Sequence, residues 1–209
     1  MNIRLHPRES VSCLGLRPAW GWAALILAGM LAFSSATLAL STVQRSFEEL
    51  VTLADHIVIG TVTGRQSIWH DPVQQRSIIT QITLSDLELL KGKHSGASFV
   101  LEMTGGQIGP YGEAVGGLPQ LTVGQRYVIF VRGNTQSIFP VVGIEQGVLT
   151  VRVDADGQTR VYTFNGLPLT QLEQIDSPAK ALADAPALPL ESLRQAVDRV
   201  LEDQAVAAP

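Results

Sequence analysis

Ile57-Val58-Ile59-Gly60-Thr61-Val62-Thr63 and, after a polar gap, Ser77-Ile78-Ile79-Thr80-Gln81-Ile82-Thr83-Leu84-Ser85-Asp86-Leu87-Glu88-Leu89 together decide the fold. In the first segment β-branched residues occupy both parities, as in a strand buried on both faces. In the second, Ile78, Ile82 and Leu84 share one face, after which Leu87 and Leu89 take the other parity. A phase shift inside one long strand is what a β-bulge produces, and bulges let a sheet curl. Between the two, Gly64 to Gln75, with its Asp71-Pro72 pair, reads as a polar connection.

The same alternation extends outward. Lys91-Gly92-Lys93 ends the second strand, and Phe99, Leu101 and Met103 point inward on the next. Tyr127-Val128-Ile129-Phe130-Val131 is another two-faced strand. Residues 138–144 and 146–153 read as two more, and 159–164 closes a hairpin across Asp154-Ala155-Asp156-Gly157. Short strands with little helix between them predict a mainly β fold, an OB-like antiparallel β-barrel over residues 40–170 that is closed or nearly so. Upstream, Ser46-Phe47-Glu48-Glu49 is a capping box, and Phe47, Leu50, Val51 and Ala54 fall at helical spacing, so 46–55 form a short amphipathic helix. Downstream, an Ala/Pro-rich linker over 171–189 leads to a final helix near 190–203, in a C-terminal segment 190–209. Its apolar stripe, Leu190, Leu193, Val197, Val200 and Leu201, must bury itself on the barrel or on a partner.

Residues 1–39 read as an export signal. Arg4, Arg8 and Arg17 precede an apolar run from Trp20 to Phe33, and Ser34-Ser35-Ala36-Thr37-Leu38-Ala39 supplies small residues for cleavage after Ala36 or Ala39. The alternative is an uncleaved anchor over residues 20–40, because no charge stands between Arg17 and Arg45. Either way the protein is expected outside the cytoplasm, periplasmic or secreted, or else tethered by its N-terminus.

Composition narrows the function classes. The 209 residues carry a net charge of −4, and residues 1–39 hold three of the fifteen basic and one of the nineteen acidic residues, so cleavage takes the charge to −6. An acidic chain lacks the basic face of a nucleic-acid binder. Cys13 is the only cysteine and lies in the signal, so neither a disulfide scaffold nor a cysteine-based metal site is available. His56, His70 and His94 are spread over turns and a strand start, without the close pairs of a zinc site. Asp154-Ala155-Asp156-Gly157 opens like a calcium loop, but Thr159 and Asn165 stand where such a loop needs Gly and Glu. Neither a Gly-x-Ser-x-Gly elbow nor a nucleophilic cysteine is present, and Glu102, Glu113 and Glu145 have no telling spacing. No cofactor, metal or catalytic set is predicted.

One segment departs from ordinary connections. Seven of the residues 104–124 are glycine: Gly105, Gly106, Gly109, Gly112, Gly116, Gly117 and Gly124. Long irregular segments of this kind are uncommon in compact domains and are often functional. A phosphate loop is excluded, because no Lys-Ser/Thr pair follows and Glu113 would repel a phosphate. The glycines serve either tight packing of a loop across the barrel or a binding loop built from Gly105, Gly106, Gln107, Gly109, Tyr111, Glu113, Gly116 and Gly117.

Phe47-Glu-Glu-Leu-Val-Thr-Leu-Ala-Asp-His-Ile-Val-Ile-Gly-Thr-Val62, Leu89-Leu-Lys-Gly92 and Val123-Gly-Gln-Arg-Tyr-Val-Ile-Phe-Val131 resemble segments of uncharacterised exported bacterial proteins. More distantly, they are similar to the netrin-like domain, the OB-type barrel of tissue inhibitors of metalloproteinases. The resemblance implies a netrin-like barrel. It does not carry the inhibitory mechanism, which uses an N-terminal cysteine that this chain lacks after cleavage. The expectation is therefore an exported, non-catalytic binding or accessory module acting on a protein partner in the bacterial envelope or medium. The alternative is an envelope hydrolase or small-ligand carrier whose site is assembled from sequence-distant residues.

Overall fold

A computed structural model describes residues 44–177 and 185–207; the expected signal segment lies outside them. The first element, helix α1 (Phe47–Leu53), forms where the capping box requires it. Ser46 Oγ accepts the Glu49 amide at 3.2 Å, and Glu49 Oε2 accepts the Ser46 amide at 2.9 Å. At its other end the Lys91 ammonium donates to the Val51 and Thr52 carbonyls at 2.7 and 3.1 Å, placing a cation where the helix dipole favours one. Burial lowers the Lys91 pKa, and the nearby Asp55 charge partly offsets this.

Strands β1 (His56–Asp71) and β2 (Arg76–Lys91) make one long antiparallel hairpin. The expected polar connection is thus mostly strand. Residues Gly64–Asp71 continue the ladder, and only Pro72–Gln75 turn, with Asp71 Oδ1 accepting the Val73 and Gln74 amides. The predicted bulge is present. The register slips between Ile59 and Thr61 of β1, and Asp86 takes a φ of 52°. The extra residue keeps Ile82, Leu84, Leu87 and Leu89 in one apolar cluster despite their change of parity.

The remaining sheet strands are β3 (Phe99–Thr104), β6 (Arg126–Val131), β7 (Val148–Val153) and β8 (Thr159–Thr163). A separate small hairpin joins β4 (Gly106–Ile108) to β5 (Tyr111–Glu113). All pairings are antiparallel, in the order β3-β2-β1-β6-β7-β8. Two faces, two cores: Ile57, Ile59, Val128, Phe130, Leu149 and Val161 pack under the helices, while Val58, Val62, Leu84, Leu101, Ile129 and Val148 line the other side. That division is why β1 over Ile57–Ile59 and β6 over Val128–Phe130, which pair with each other, are apolar at every position. Val148 of β7 joins the same cluster as Leu101 of β3, although three strands lie between them, so the sheet curls around this second core.

The curl does not close into a barrel. β3 and β8 are unpaired edges of the sheet, and each is capped by something other than a strand. On β3, Val100 and Glu102 turn their backbone groups away from β2. There the Asn134 side chain takes both: Oδ1 accepts the Glu102 amide at 3.0 Å, and Nδ2 donates to the Val100 carbonyl at 2.7 Å. On β8, the Val161 amide donates to Leu188 and its carbonyl accepts from Leu169. A closed barrel needs its edge strands to meet; here side chains and loops have already used their hydrogen bonds.

Residues 138–144 are not a strand. They fold back on β6 through the single Val141–Val131 bridge and enter a 3-10 turn at Ile144–Gly147. The β7–β8 hairpin across Asp154–Gly157 is as predicted, with Gly157 at a φ of 79°. Part of the expected linker, 178–184, lies outside the described residues, and its flanks are fixed: Ile175 and Ala187 are buried, and the Arg160 guanidinium donates to the Ala187 carbonyl at 3.0 Å. Helix α2 (Leu190–Ala207) lays Leu190, Leu193 and Val197 fully into the first core, with Val200 and Leu201 partly buried beside them. Its Arg194 grips Glu88 of β2 through two bonds of 2.6 Å, and Gln204 reaches Thr52 of α1 at 2.7 Å. The stripe is occupied by the chain itself.

Candidate functional site

The glycine-rich segment is more ordered than an irregular loop. Its first part is the β4–β5 hairpin, laid across the outer half of the β1–β2 hairpin. The Gly105 amide donates to the Ile78 carbonyl at 2.7 Å, and Glu113 Oε2 accepts the Ile78 amide at 2.7 Å. A chain of hydroxyls fixes the rest. The Gly105 carbonyl can only accept, so the Thr80 hydroxyl donates to it at 2.6 Å. Thr80 has spent its one proton, so Ser67 must donate to Thr80 at 3.1 Å, leaving a Ser67 lone pair for the Gln107 amide at 3.2 Å. Thr80 is 3% exposed, so each of these bonds replaces water that cannot reach it.

Gly106, at a φ of 140°, sits against this chain. A Cβ there would overlap Ser67 Oγ and Thr80 Oγ1. Gly105 is confined by the Glu113 carbonyl, and Gly109 and Gly117 adopt positive φ in turns. Gly112 and Gly116 are different: neither has a positive φ, and no atom stands within 4 Å of an added Cβ. Packing explains the base of the segment and turn geometry part of its tip; at these two positions the backbone simply lies bare. Tyr111 stands 60% exposed at the tip, its ring edge-on to Trp69 of β1 at 5.7 Å between centroids.

Beneath the segment the curled sheet leaves a cavity of about 170 Å³. Its floor is the second core (Ile82, Met103, Leu118 and Leu121), Glu113 stands in its wall, and Arg65 lies at its mouth. Arg65 donates to the Gln120 carboxamide at 2.7 Å and has no carboxylate partner among the described residues. The Glu113 carboxylate likewise has no cation among them, and the bond it makes is the one to the Ile78 amide.

Other candidate groups are not gathered there. His56 and His94 flank Phe99 at 5.7 and 5.3 Å, and their Nε2 atoms donate to the Lys93 and Ser98 carbonyls. His70 is exposed at the hairpin tip. Glu102 bonds Gln81 and Glu145 bonds Asn165, each separately from Glu113. Among the described residues no three His, Cys, Asp or Glu side chains converge as for a metal ion. Sequence reasoning found the glycine segment but missed Arg65, Ser67, Trp69 and Thr80. Three of these alternate along a stretch read as a connection, and Thr80 reads as an ordinary strand residue. Comparison with family models, with curated proteins and with solved structures finds no match to this chain.

Proposed function

We propose that this chain is an exported, non-catalytic binding module that holds a protein partner in the bacterial envelope or medium, through the β4–β5 hairpin and the adjoining tip of β1–β2. The observation that carries this reading is the contrast within the glycine segment. Its base is locked by the Ser67–Thr80 hydroxyl chain and Glu113, while its exposed parts offer Tyr111 against Trp69 of β1 and bare backbone at Gly112 and Gly116. A rigid scaffold presenting an exposed loop loses little entropy on binding. Helix α2, the other surface considered from sequence, is consumed by the first core. The 170 Å³ cavity is smaller than the roughly 300–1,000 Å³ of sites that enclose a drug-sized molecule, which disfavours a carrier of large ligands.

The finer fold reading also stands as a proposal. The sequence β3-β2-β1-β6-β7 is the order of an OB-type barrel opened between its third and fifth strands, which supports an OB-like, netrin-like ancestry. Among the described residues no helix is long and apolar enough to cross a membrane.

The test is site-specific photocrosslinking in the native host. A photoreactive residue at position 111 is expected to capture one dominant protein, and the same residue at Val206, at the far end of α2, is expected to capture none of it. Equal capture from both positions overturns the assignment of the surface. The mature N-terminus, read in the same sample, is expected at Thr37 or Leu40; a start at Met1 overturns cleavage.

A further inference from the structure

Building on that reading, we infer that the cavity under the glycine segment binds an apolar α-amino acid unit bearing a free ammonium: the N-terminal residue of a protein chain. Three features of the cavity coincide. The floor, Ile82, Met103, Leu118 and Leu121, is apolar, and about 170 Å³ slightly exceeds the roughly 150 Å³ void that accommodates benzene in a well-studied engineered core. One side chain of Leu, Ile, Met or Phe size fits it. The wall holds the half-buried Glu113 carboxylate, with one oxygen committed to the Ile78 amide and the other free of any cation among the described residues. The mouth holds Arg65, without a carboxylate partner.

Opposite charges lining one small cavity ordinarily pair. These do not: Gln120 holds the guanidinium, and Ile78 holds the carboxylate. An unpaired cation and an unpaired anion lining one cavity are matched by a group that carries a cation and an oxygen acceptor on adjacent atoms. An α-amino acid unit has this form, with its ammonium for Glu113, its carbonyl or carboxylate oxygen for Arg65, and its side chain for the floor. Charge-assisted bonds of both kinds are the strong ones in partly desolvated sites. A chain N-terminus is favoured over a free amino acid because the bare glycine backbone and the Tyr111–Trp69 pair lie on the same segment, available to residues that follow the first.

The experiment is titration calorimetry of the full mature chain with Leu-Gly-Gly, its N-acetylated form, Gly-Gly-Gly and free leucine. Leu-Gly-Gly is expected to bind, with affinity at least tenfold weaker after acetylation and undetectable for Gly-Gly-Gly. Glu113→Gln retains an acceptor for Ile78 and is expected to fold with an unchanged Tm but to lose tenfold or more in affinity. Arg65→Ala is expected to weaken binding with no effect on folding. No binding of Leu-Gly-Gly, or equal binding of its acetylated form, overturns the inference and leaves the photocrosslinking result to judge the protein-partner reading alone. Free leucine binding as tightly as Leu-Gly-Gly overturns the chain N-terminus as the occupant, and the photocrosslinking result still judges the protein-partner reading by itself.

Discussion

Asn134→Ala tests why the sheet stays open. The side chain makes two bonds to β3, at 3.0 Å to the Glu102 amide and 2.7 Å to the Val100 carbonyl. A typical bond contributes about 0.5–1.5 kcal/mol net. Val100 is 39% exposed, so water takes over part of the loss, and the cost is about 1–2 kcal/mol rather than the full sum. For a folded unit of this size that lowers Tm by about 2–8 °C. The second consequence is larger. Freed groups on Val100 and Glu102 form an uncapped edge, which templates pairing with another chain. Thermal unfolding by circular dichroism, with light scattering over a protein-concentration series, reads both effects, and the variant is expected to self-associate where the parent does not. Asn134→Asp sharpens the test. At neutral pH its carboxylate accepts from Glu102 but faces the Val100 carbonyl oxygen, whereas the protonated acid regains a donor. Relative to the parent, the aspartate variant is expected to recover on acidification and the alanine variant is not. A Tm for Asn134→Ala within 1 °C of the parent, with no self-association, would refute the view that this side chain caps the edge.

Three further outcomes follow from the packing. Gly106→Ala places a methyl group on the Ser67–Thr80 hydroxyl chain at a φ of 140°, and is expected to cost about 2–4 kcal/mol in urea unfolding, from backbone strain and one or two lost bonds. An effect below 0.5 kcal/mol (roughly the floor for a surface change) would show the hairpin is not seated there. Leu193→Ala, at a fully buried position of α2, is expected to cost about 2–5 kcal/mol; a value near zero would mean that α2 does not pack on the sheet. The Tyr162 hydroxyl donates to Asp154 at 2.6 Å, and this bond raises the phenol above its usual pKa of 10.0. Its folded pKa is raised, so the bond's contribution is complete below the unfolded value and is lost as pH climbs through the raised pKa. Tyr162→Phe is expected to lower Tm at pH 8 and to flatten its decline between pH 9 and 11, as followed by differential scanning calorimetry.

What could be read in advance divides along a physical line. Where a residue's partner is near in sequence or its role is burial, the pattern showed it: the Ser46–Glu49 box, the two-faced strands at 57–63 and 127–131, the parity change between Leu84 and Leu87, the α2 stripe. Where the partner is distant and polar, it did not. Arg65, Gln66 and Ser67 look like a connection because the β4–β5 hairpin, rather than a core, rests near them. The apolar residues at 138–144 look like a strand, but Pro140 and Gly143, at a φ of 66°, turn the chain before a ladder forms. Asn134 carried no signal at all, since its role is to meet backbone more than thirty residues away. The glycine composition located the candidate surface, yet only the structure separates the glycines that packing and turns require from the two that nothing does.

The bulge at Asp86 makes side-chain orientation in β2 behave like a reading frame. Upstream of it the even-numbered Ile82 and Leu84 face the second core; downstream the odd-numbered Leu87 and Leu89 do. A substitution at the exposed Asp86 is a change of letter and touches only one local φ. Deleting that residue is a second frameshift that cancels the first. Leu87, Glu88 and Leu89 would fall into the alternation set by Ile82 and Leu84, each keeping its face, and the strand would lose the bulge that lets the sheet curl. For this half of the hairpin, the number of residues is as much a part of the fold's specification as their identity.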